Sequence, residues 1–354
     1  MKRIIAIVAF FVFASTGNAA DKPEREAYDE AIDRGLEFLA GSQGNDGSWA
    51  TRQNRDPAIT SLCVMAFLSA GHVPGEGRYG PVVEKGIKFV LDQQQRNGLF
   101  SGIFQGQMEM YQHGICTLML SEAVGLLDRR EAKRLREKLE LAVTVILRAQ
   151  VRQGEDRGGW RYTIRSVDSD ISVTGWQLMA LRAAKNVGTD IPAEHIDQAI
   201  GYIKRCHDAN SGGYRYQRFG AVTIPCTGTS VLALELTGSA HHRSPEALKA
   251  GSFLLKNQLN ARQQHFFYGI YYTAQAMFQL GDNYWTVYRK NLHDLLLRQN
   301  PPKAAGCWTG WGWDDANMGP NYCTAMAILA LTVEYRFLPI YQRSEEPADI
   351  MLKE

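Results

Sequence analysis

The sequence contains no block of clustered basic residues. Its 39 lysines and arginines are nearly balanced by 37 aspartates and glutamates, and the formal net charge at pH 7 is +2. Two of the positive charges, Lys2 and Arg3, fall in a candidate leader, so the mature chain would be close to neutral. Because nucleic acids and anionic membrane surfaces are bound through clustered lysine and arginine, we expect neither of them as a partner.

Cysteine is also scarce, with six residues in a chain of 354. The sequence has no Cys-x-x-Cys pair and no His-x3-His pair, and these are the usual ligand spacings of structural zinc sites. It has no glycine-rich phosphate loop either. We therefore expect no bound metal and no cofactor. An exported chain could form disulfides, but six cysteines are too few for a core of this size to depend on them.

Long hydrophobic runs are missing except at the amino terminus. There, Lys2 and Arg3 precede an apolar run over residues 4–14, and small and polar residues follow up to Ala20. This order is typical of a secretory signal peptide, and we expect cleavage after Ala19. The run is too short to span ~30 Å of hydrocarbon at about 1.5 Å per residue. We predict a signal peptide over residues 1–19, export to the periplasm or the extracellular space, and no transmembrane segment after cleavage.

The rest of the sequence alternates between two kinds of helical pattern. One kind has apolar residues on one face and charged residues on the other, which predicts helices with one wet face. These segments are 28–42, 79–95, 131–150, 192–208, 244–258 and 283–300. The other kind is apolar nearly all round, which predicts helices that are buried on most sides. These segments are 56–70, 111–124, 170–185, 226–237, 269–280 and 322–334.

Twelve helices in six pairs predict an all-α (α/α)6 toroid of six helical hairpins, with an inner and an outer ring. We assign it to a single domain over residues 20–340, followed by a C-terminal tail over residues 341–354. The alternative, an open α-solenoid, would be expected to carry polar capping repeats, and none is obvious. Five glycines just past the ends of inner helices are expected to cap them. They are Gly71, Gly125, Gly188, Gly238 and Gly281.

A turn containing glycine and an aromatic residue recurs between the two helices of most pairs. The first turn runs from Gln43 through Gly47 to Trp49, and corresponding aromatic residues follow glycine in four others. These are Phe100, Trp160, Tyr214 and Trp308. The fifth turn, around residues 265–268, keeps aromatic residues but lacks the glycine. Glycine allows the chain to reverse, and the aromatic side chain would fill the gap between neighbouring hairpins.

This pattern, Gln-x-x-x-Gly-x-Trp at a period of about 50 residues, resembles the QW-type repeat of squalene/hopene cyclases and protein prenyltransferase β-subunits. The resemblance covers essentially the whole mature chain. It implies a ligand site in the central cavity, at the mouth lined by the N-terminal turns of the inner helices. A polar and aromatic rim over an apolar interior is typical of ligand pockets. The candidate ligand-binding residues are Asp56, Tyr111, Trp176, Tyr268, Tyr272, Trp308, Trp311, Trp313 and Tyr322. For Asp56 a helix-capping role is favoured.

Three residues near this mouth are candidates for catalysis. Asp168 and Asp170 match the first two positions of the Asp-x-Asp-Asp motif of squalene-type cyclases, and Asp170 falls at the position of the proton donor. Ile171 replaces the last aspartate. Helix capping or ligand binding is favoured over acid catalysis, since aspartate is a preferred N-cap and a helix N-terminus stabilises the carboxylate. His113 is the third candidate, although a hydrogen-bonded structural role is more common for such a histidine.

Two other signatures of the same superfamily are incomplete. The zinc site of protein prenyltransferases needs an Asp-x-Cys pair and a histidine, but Ile224 stands before Cys226 and Gly269 aligns with the histidine. The thioester of complement-type domains needs Cys-Gly-Glu-Gln, which does not occur. If disulfides form, we expect them within the fourth and sixth hairpin turns. The two pairs would be Cys206 with Cys226 and Cys307 with Cys323.

The leading hypothesis is an exported protein that binds a small-molecule ligand, of apolar character, in the centre of the toroid. Three alternatives stay open. One is an acid-initiated terpenoid cyclase, an isomerase, that uses Asp170 and stabilises cations on aromatic rings. Another is a glycan-active hydrolase or lyase, for which Trp308, Trp311 and Trp313 followed by Asp314 and Asp315 would suit sugar binding. The third is a scaffold for a protein partner. The sequence does not predict an oligomeric state.

Overall fold

The computed structural model describes residues 27–52, 54–102, 106–238 and 241–342. The predicted signal peptide lies outside these residues, as does the predicted tail from residue 343 onward. The outer helices are α1 (Ala27–Ser42), α3 (Gly80–Asp92), α5 (Arg129–Ala149), α7 (Ala193–Arg205), α9 (Pro245–Lys256) and α11 (Asp282–His293). The inner helices are α2 (Pro57–Ser69), α4 (Glu109–Ala123), α6 (Ile171–Asn186), α8 (Ile224–Leu236), α10 (Phe266–Leu280) and α13 (Pro320–Leu331).

Three short elements that the sequence patterns did not predict lie before inner helices. A two-residue strand, β1 (Tyr214–Arg215), pairs antiparallel with β2 (Val222–Thr223) ahead of α8. A short helix, α12 (Trp313–Met318), precedes α13. No helix within the described ranges combines the length and the apolarity that crossing a bilayer requires.

The inner helices form a closed ring. Each packs on the next in the order α2, α4, α6, α8, α10 and α13, and α13 then packs on α2. The outer helices lie against this ring, with α1 contacting both α2 and α13. The predicted all-α (α/α)6 toroid is therefore confirmed.

The two hydrophobic patterns account for the two rings. Every residue of α2 is buried, as expected for a helix that is apolar all round. In α5, by contrast, burial is confined to a stripe that includes Leu135, Leu139, Ala142 and Ile146. The stripe faces the inner ring, and the charged face lies toward water.

Hydrogen bonds made by the hairpin turns connect each outer helix to the next one. Gln150 donates through Nε2 to the carbonyl of Gly158 in its own turn (2.7 Å) and to that of His195 in α7 (2.8 Å). Gln43 and Gln94 make the same pair of contacts in the first two turns. The turn glycines adopt positive φ and press against the following outer helix, so that a Cβ on Gly158 would lie 2.0 Å from the carbonyl oxygen of Gln198.

Four of the five predicted cap glycines have positive φ, namely Gly71, Gly188, Gly238 and Gly281. Gly125 does not, because α4 continues into a 3-10 turn over Val124–Leu126 and the chain does not reverse at the glycine.

The end of the ring opposite the inner-helix N-termini is covered by residues Pro339–Tyr341. Tyr341 is buried, pairs through its hydroxyl with that of Tyr271, and accepts a hydrogen bond from Gln279 at its carbonyl (2.9 Å). The Ile340 N–H donates to the carboxylate of Glu122 (3.2 Å). Residue 341, at the start of the predicted tail, thus packs with the domain.

Candidate functional site

Tyrosines from several elements surround a recess at the N-terminal ends of the inner helices. Tyr111 lies in the first turn of α4, Tyr268 and Tyr272 in the first two turns of α10, and Tyr322 in the first turn of α13. Tyr162 comes from the loop that precedes α6 and Tyr216 from the loop that precedes α8, and their hydroxyls are 2.5 Å apart. The rings of Tyr111 and Tyr162 stack with centroids 6.0 Å apart. The hydroxyl of Tyr268 lies 3.0 Å from Thr229 Oγ1 in α8.

Three of these tyrosines are surrounded by protein and still partly exposed. Tyr111, Tyr268 and Tyr322 each keep part of their surface accessible to water. Burial nevertheless raises the pKa of each phenol well above its ordinary value. A side chain that is surrounded by protein and still reached by water lines a recess, because on a convex surface the phenol would remain hydrated.

Aromatic rings fill the centre of the toroid below this recess. Trp176 stacks on Tyr271 with centroids 5.6 Å apart and meets Tyr272 edge-on at 5.3 Å. All three side chains are at most 2% exposed. Because the opposite end is covered by the C-terminal segment, the recess belongs to one mouth of the ring, and the buried rings of Trp176 and Tyr272 lie beneath it.

Asp170 lies behind these tyrosines and is fully buried. Its Oδ1 caps α6, accepting from the N–H of Val173 and from Ser172 Oγ, both at 2.9 Å. Its Oδ2 has no hydrogen-bond partner and lies 3.6 Å from Nε of Arg161, which has none either. Burial raises the pKa of Asp170 to about 6, against the lowering effect of the cap, of Tyr216 and of Arg161.

Arg161 links Asp170 to the other predicted aspartate. Its NH1 group pairs with Asp168, and its guanidinium lies 5.0 Å from the ring centroid of Tyr162. The two aspartates of the candidate acid motif therefore share one arginine. Asp168 is partly exposed, whereas Asp170 is fully buried.

Asp56 and His113 stabilise backbone at this end of the ring. Asp56 caps α2 through the N–H groups of Ala58 (2.8 Å) and Ile59 (3.0 Å), and its other oxygen accepts from Gln112 (2.5 Å). This is the favoured interpretation of Asp56.

His113 is buried, accepts from the Phe100 N–H at Nδ1 (3.1 Å) and donates from Nε2 to the carbonyl of Ala142 (3.0 Å). Burial lowers its pKa to about 4. Threonines make the equivalent contact to the turn aromatic in four other hairpins. They are Thr60, Thr174, Thr227 and Thr324. Because both nitrogens are engaged by backbone, His113 holds a turn in place and has no free nitrogen for a ligand.

The three candidate tryptophans of the sixth hairpin occupy different environments. Trp308 is fully buried and donates to the Leu296 carbonyl (3.0 Å), so it packs in the wall between hairpins. Trp311 and Trp313 are 59% and 72% exposed. The guanidinium of Arg262 lies over Trp311 at 5.3 Å.

The adjacent residues Asp314 and Asp315 contact different partners. Asp315 is buried, accepts from the Phe267 N–H at the start of α10 (3.3 Å), and has a pKa that burial raises to about 7. Asp314 lies 3.1 Å from Nδ1 of His265. Asp315 also raises the pKa of Tyr322, which places this pair beside the recess.

Tyr162 and Tyr216 are recess residues that the sequence did not single out. Each lies two positions after a turn aromatic, Trp160 or Tyr214, and that spacing is the signal that could have identified them. In the described part of the chain, no group of three or more histidine, cysteine or carboxylate side chains is placed to hold a metal ion. All six cysteines are buried and unpaired.

No protein-family model matches the sequence, and no curated protein matches it. Solved structures do match. The alpha-1,6-mannanase of Salegentibacter sp. HEL1_6 is 13% identical with a TM-score of 0.67, over 88% of this chain and 99% of that one. Protein geranylgeranyltransferase-I of Candida albicans is 12% identical with a TM-score of 0.56, over 89% and 96%.

Type II terpene cyclase MstE of Scytonema is 13% identical with a TM-score of 0.56, over 88% of this chain and 98% of that one. Sequence identities this low show a shared architecture and do not show a shared activity. The chain therefore has the toroid fold that terpene cyclases, protein prenyltransferases and this mannanase share, and the expected resemblance to that superfamily is confirmed at the level of fold.

Proposed function

We propose that the protein is exported and that the tyrosine-lined recess binds an uncharged organic ligand with an apolar body. The observation that carries this proposal is the cluster of partly exposed tyrosines at one end of the ring, which lies beside the buried carboxylate of Asp170. Oδ2 of this carboxylate makes no hydrogen bond and lies 3.6 Å from Nε of Arg161. The surrounding phenol rings offer apolar faces for the ligand.

Solved structures of this fold support ligand binding by the toroid. The geranylgeranyltransferase is complexed with GGPP, and an aspartate variant of the terpene cyclase is complexed with geranylgeranyl dihydroxybenzoate as substrate. An inactive variant of the mannanase, altered at two aspartates, is complexed with alpha-1,6-mannotriose. Prenyl compounds and mannose oligosaccharides are therefore the first two ligand classes to compare.

Acid catalysis by Asp170 is the second candidate function. A carboxyl group with a pKa of about 6 is still partly protonated near neutral pH, as a proton donor must be. Its unpaired Oδ2 is the atom that would hold the proton. In a cyclase this proton would go to an alkene, and the carboxylate left behind would face the neighbouring Arg161.

The test is a thermal-shift series on the mature protein with geranylgeraniol and with alpha-1,6-mannotriose. A ligand at about 100 times its dissociation constant stabilises by about 2.7 kcal/mol, which corresponds to a rise of several degrees in Tm. We expect geranylgeraniol to produce this rise and Asp170→Asn to reduce it. Asp128→Asn is the matched control, since Asp128 caps α5 on the outer ring. The absence of a shift with either compound would contradict the proposal.

Gas chromatography of the same mixtures separates binding from catalysis. Under the binding proposal, geranylgeraniol is recovered unchanged from the wild-type protein. A cyclic product that disappears with Asp170→Asn would instead establish the acid-initiated reaction. Export is tested separately by N-terminal sequencing of the protein from the periplasm or the medium, where we expect a chain that begins at Ala20.

A further inference from the structure

Two of the seven tryptophans are largely exposed, and they lie two residues apart in one loop. They are Trp311 and Trp313, whereas four of the other five tryptophans are at most 2% exposed and Trp285 is partly buried. Leaving two indole rings in water is costly, because each carries a large apolar area that burial would remove from water. Grouped exposed tryptophans are typical of a surface that binds another molecule.

The loop that carries the two rings is closely packed on both of its sides. Gly310 and Gly312 flank Trp311, and neither position has room for a side chain. A Cβ on Gly310 would lie 2.1 Å from Cβ of Asp315, and a Cβ on Gly312 would lie 2.9 Å from the carbonyl oxygen of Gln263. The loop is thus held between α12 and the segment before α10. A ligand that binds the exposed rings would therefore meet a preorganised surface.

Two cations without ion-pair partners lie beside the first of these rings. The guanidinium of Arg262 is 5.3 Å from the ring centroid of Trp311, and Nζ of Lys303 is 5.9 Å from it. Both side chains are exposed, and within the described chain neither forms an ion pair with a carboxylate. The indole ring attracts both cations and keeps them beside the loop. An anionic group of a ligand would meet two unpaired positive charges here.

The two carboxylates of this loop oppose an anion only weakly. Asp315 is buried, and its carboxylate accepts a hydrogen bond from the backbone at the start of α10 (3.3 Å). Asp314 lies 3.1 Å from Nδ1 of His265, which offsets its charge when the histidine is protonated. The exposed charge closest to Trp311 is therefore positive.

A ligand for this surface needs a flat apolar face and a negative charge close to it. No other ring and no cation of the described chain lies over Trp313, so this indole is open for stacking. An acidic peptide carries its carboxylates on flexible side chains, apart from any flat face. A neutral sugar has the face but would leave both cations unpaired. Nucleic acids are bound through larger clusters of basic residues than this pair. A sugar acid carries the carboxylate on the same pyranose ring whose apolar face can stack on an indole.

We propose that Trp311 and Trp313 belong to a second binding site, which takes an anionic oligosaccharide built from uronic acids. One pyranose ring would stack on Trp313, and a carboxylate of the chain would bind Arg262 and Lys303. The site is formed by the loops before α10 and α13, and it does not depend on a ligand in the tyrosine-lined recess. Trp308 takes no part, because it is fully buried.

The test is isothermal titration calorimetry of the mature protein with trigalacturonic acid and with its methyl ester, near neutral pH and at low ionic strength. The two probes share their pyranose rings, and the ester lacks the negative charges. Two exposed ion pairs predict that the acid binds about three- to tenfold more tightly. This preference should shrink in about 0.5 M salt, because exposed charges are screened. Equal binding of the two probes would overturn the anionic ligand, and binding of neither would overturn the site. Neither outcome bears on the recess.

Variants at the two kinds of contact locate the bound sugar. Trp313→Ala should weaken the binding of both probes by about tenfold, because the stacking face is lost. Arg262→Gln should weaken the binding of the acid alone, a change of preference that loss of folding cannot imitate. Val287→Ala and Lys290→Gln are the matched controls, since both residues are exposed on the outer helix α11, and they should bind as the wild-type protein does.

Two results with these variants would contradict the proposal. If Trp313→Ala and Arg262→Gln bound trigalacturonic acid as tightly as the wild-type protein, the sugar would lie elsewhere. If a single-stranded oligonucleotide bound more tightly than the trisaccharide and lost its affinity in the same two variants, the site would belong to nucleic acid.

Discussion

Burial raises the pKa of some side chains and lowers the pKa of others, and both kinds of shift make the stability of the protein depend on pH. Burial raises the pKa of Glu122 to about 8, of Asp315 to about 7 and of Asp170 to about 6. A carboxyl group whose pKa is higher in the folded state contributes stability at low pH, and this contribution is lost as the pH rises from the ordinary value near 4 to the folded-state value. His113 acts in the opposite way, because its pKa falls to about 4 and its contribution is lost below the ordinary value near 6.5. Between about pH 4.5 and 6 the three carboxyl groups outweigh the histidine, so the combined contribution of these four groups to stability falls as the pH rises through that range.

Replacement of Glu122 by glutamine should remove part of this pH dependence. The amide keeps an acceptor for the Ile340 N–H and does not ionise. Between pH 6.5 and 8 the free energy of unfolding of the wild-type protein should fall by on the order of 2 kcal/mol through this single group, at about 1.4 kcal/mol per pH unit. Urea unfolding at the two pH values measures the loss, and Glu122→Gln should lose correspondingly less. Equal losses in both proteins would show that Glu122 is already ionised at pH 6.5.

His113→Thr should restore the residue type found at the equivalent position of four other hairpins. Threonine can accept from the Phe100 N–H, as Thr174 does from Trp160. Loss of the ring that stacks on Phe100 should cost about 1–3 kcal/mol at pH 6.5. Between pH 6.5 and 5 the free energy of unfolding of the variant should fall by about 2 kcal/mol less than that of the wild-type protein. The variant lacks the histidine whose pKa is lowered by burial.

His113→Leu is the companion variant. It also removes the ionisable ring but leaves the Phe100 N–H without an acceptor, so unfolding curves should show it to be less stable than His113→Thr by about 1–3 kcal/mol. If leucine and threonine were equally stable, the hydrogen bond to the turn would not be the function of this position.

At the scale of the helices, the turn glutamines are the contacts that join neighbouring hairpins. Gln150→Leu would leave the carbonyls of Gly158 and His195 without this donor. Two lost hydrogen bonds at a buried position should lower the free energy of unfolding by about 2–4 kcal/mol. Gln153→Leu, at an exposed position three residues away, should change it by less than about 0.5 kcal/mol. Chemical denaturation of both variants measures the difference. If both substitutions had a similar effect, the hydrogen bonds of Gln150 would not be what stabilises the contact between neighbouring hairpins.

The helices could be predicted because each ring imposes its own pattern on the sequence. All twelve appear, with boundaries displaced by a few residues, since burial on all sides in α2 and on one stripe in α5 leaves a clear periodicity. The strands and α12 were not predicted, because elements of two and six residues are too short to show a period.

The recess was predictable only in part. Residues in the first turns of inner helices, such as Tyr111 and Tyr268, follow from helix position alone. Trp308 and His113 lie in the same stretches but point into the wall and a turn, and the direction of a side chain depends on packing that a single sequence does not show. The free oxygen of Asp170 likewise depends on where Arg161 folds back, which no spacing rule specifies.

For the molecule as a whole, closure of the ring makes the first and last hairpins neighbours. Arg34 of α1 donates to the carbonyls of Lys303 (3.0 Å) and Ala304 (3.2 Å) in the sixth turn. On the inner ring, Thr332 and Ser69 share a hydrogen bond of 2.8 Å between their hydroxyls. Because no hairpin is terminal, we expect the toroid to unfold as one cooperative unit, whereas an open solenoid would fray from its ends.

Gly306→Ala tests this closure at the point where the last turn meets the first helix. Gly306 has a φ of 88°, and a Cβ there would lie 2.4 Å from the carbonyl oxygen of Arg34. Gly220→Ala is the matched control, since Gly220 has a φ of 94° but nothing within 4 Å of its Cβ position. The control should lose only the ~1–2 kcal/mol of left-handed strain. Gly306→Ala should lose at least about 2 kcal/mol more, because backbone atoms on both sides must move apart. Hydrogen exchange should then show reduced protection in both α1 and α13, at opposite ends of the sequence. Reduced protection confined to α13 would mean that the joint between the two ends does not stabilise the ring.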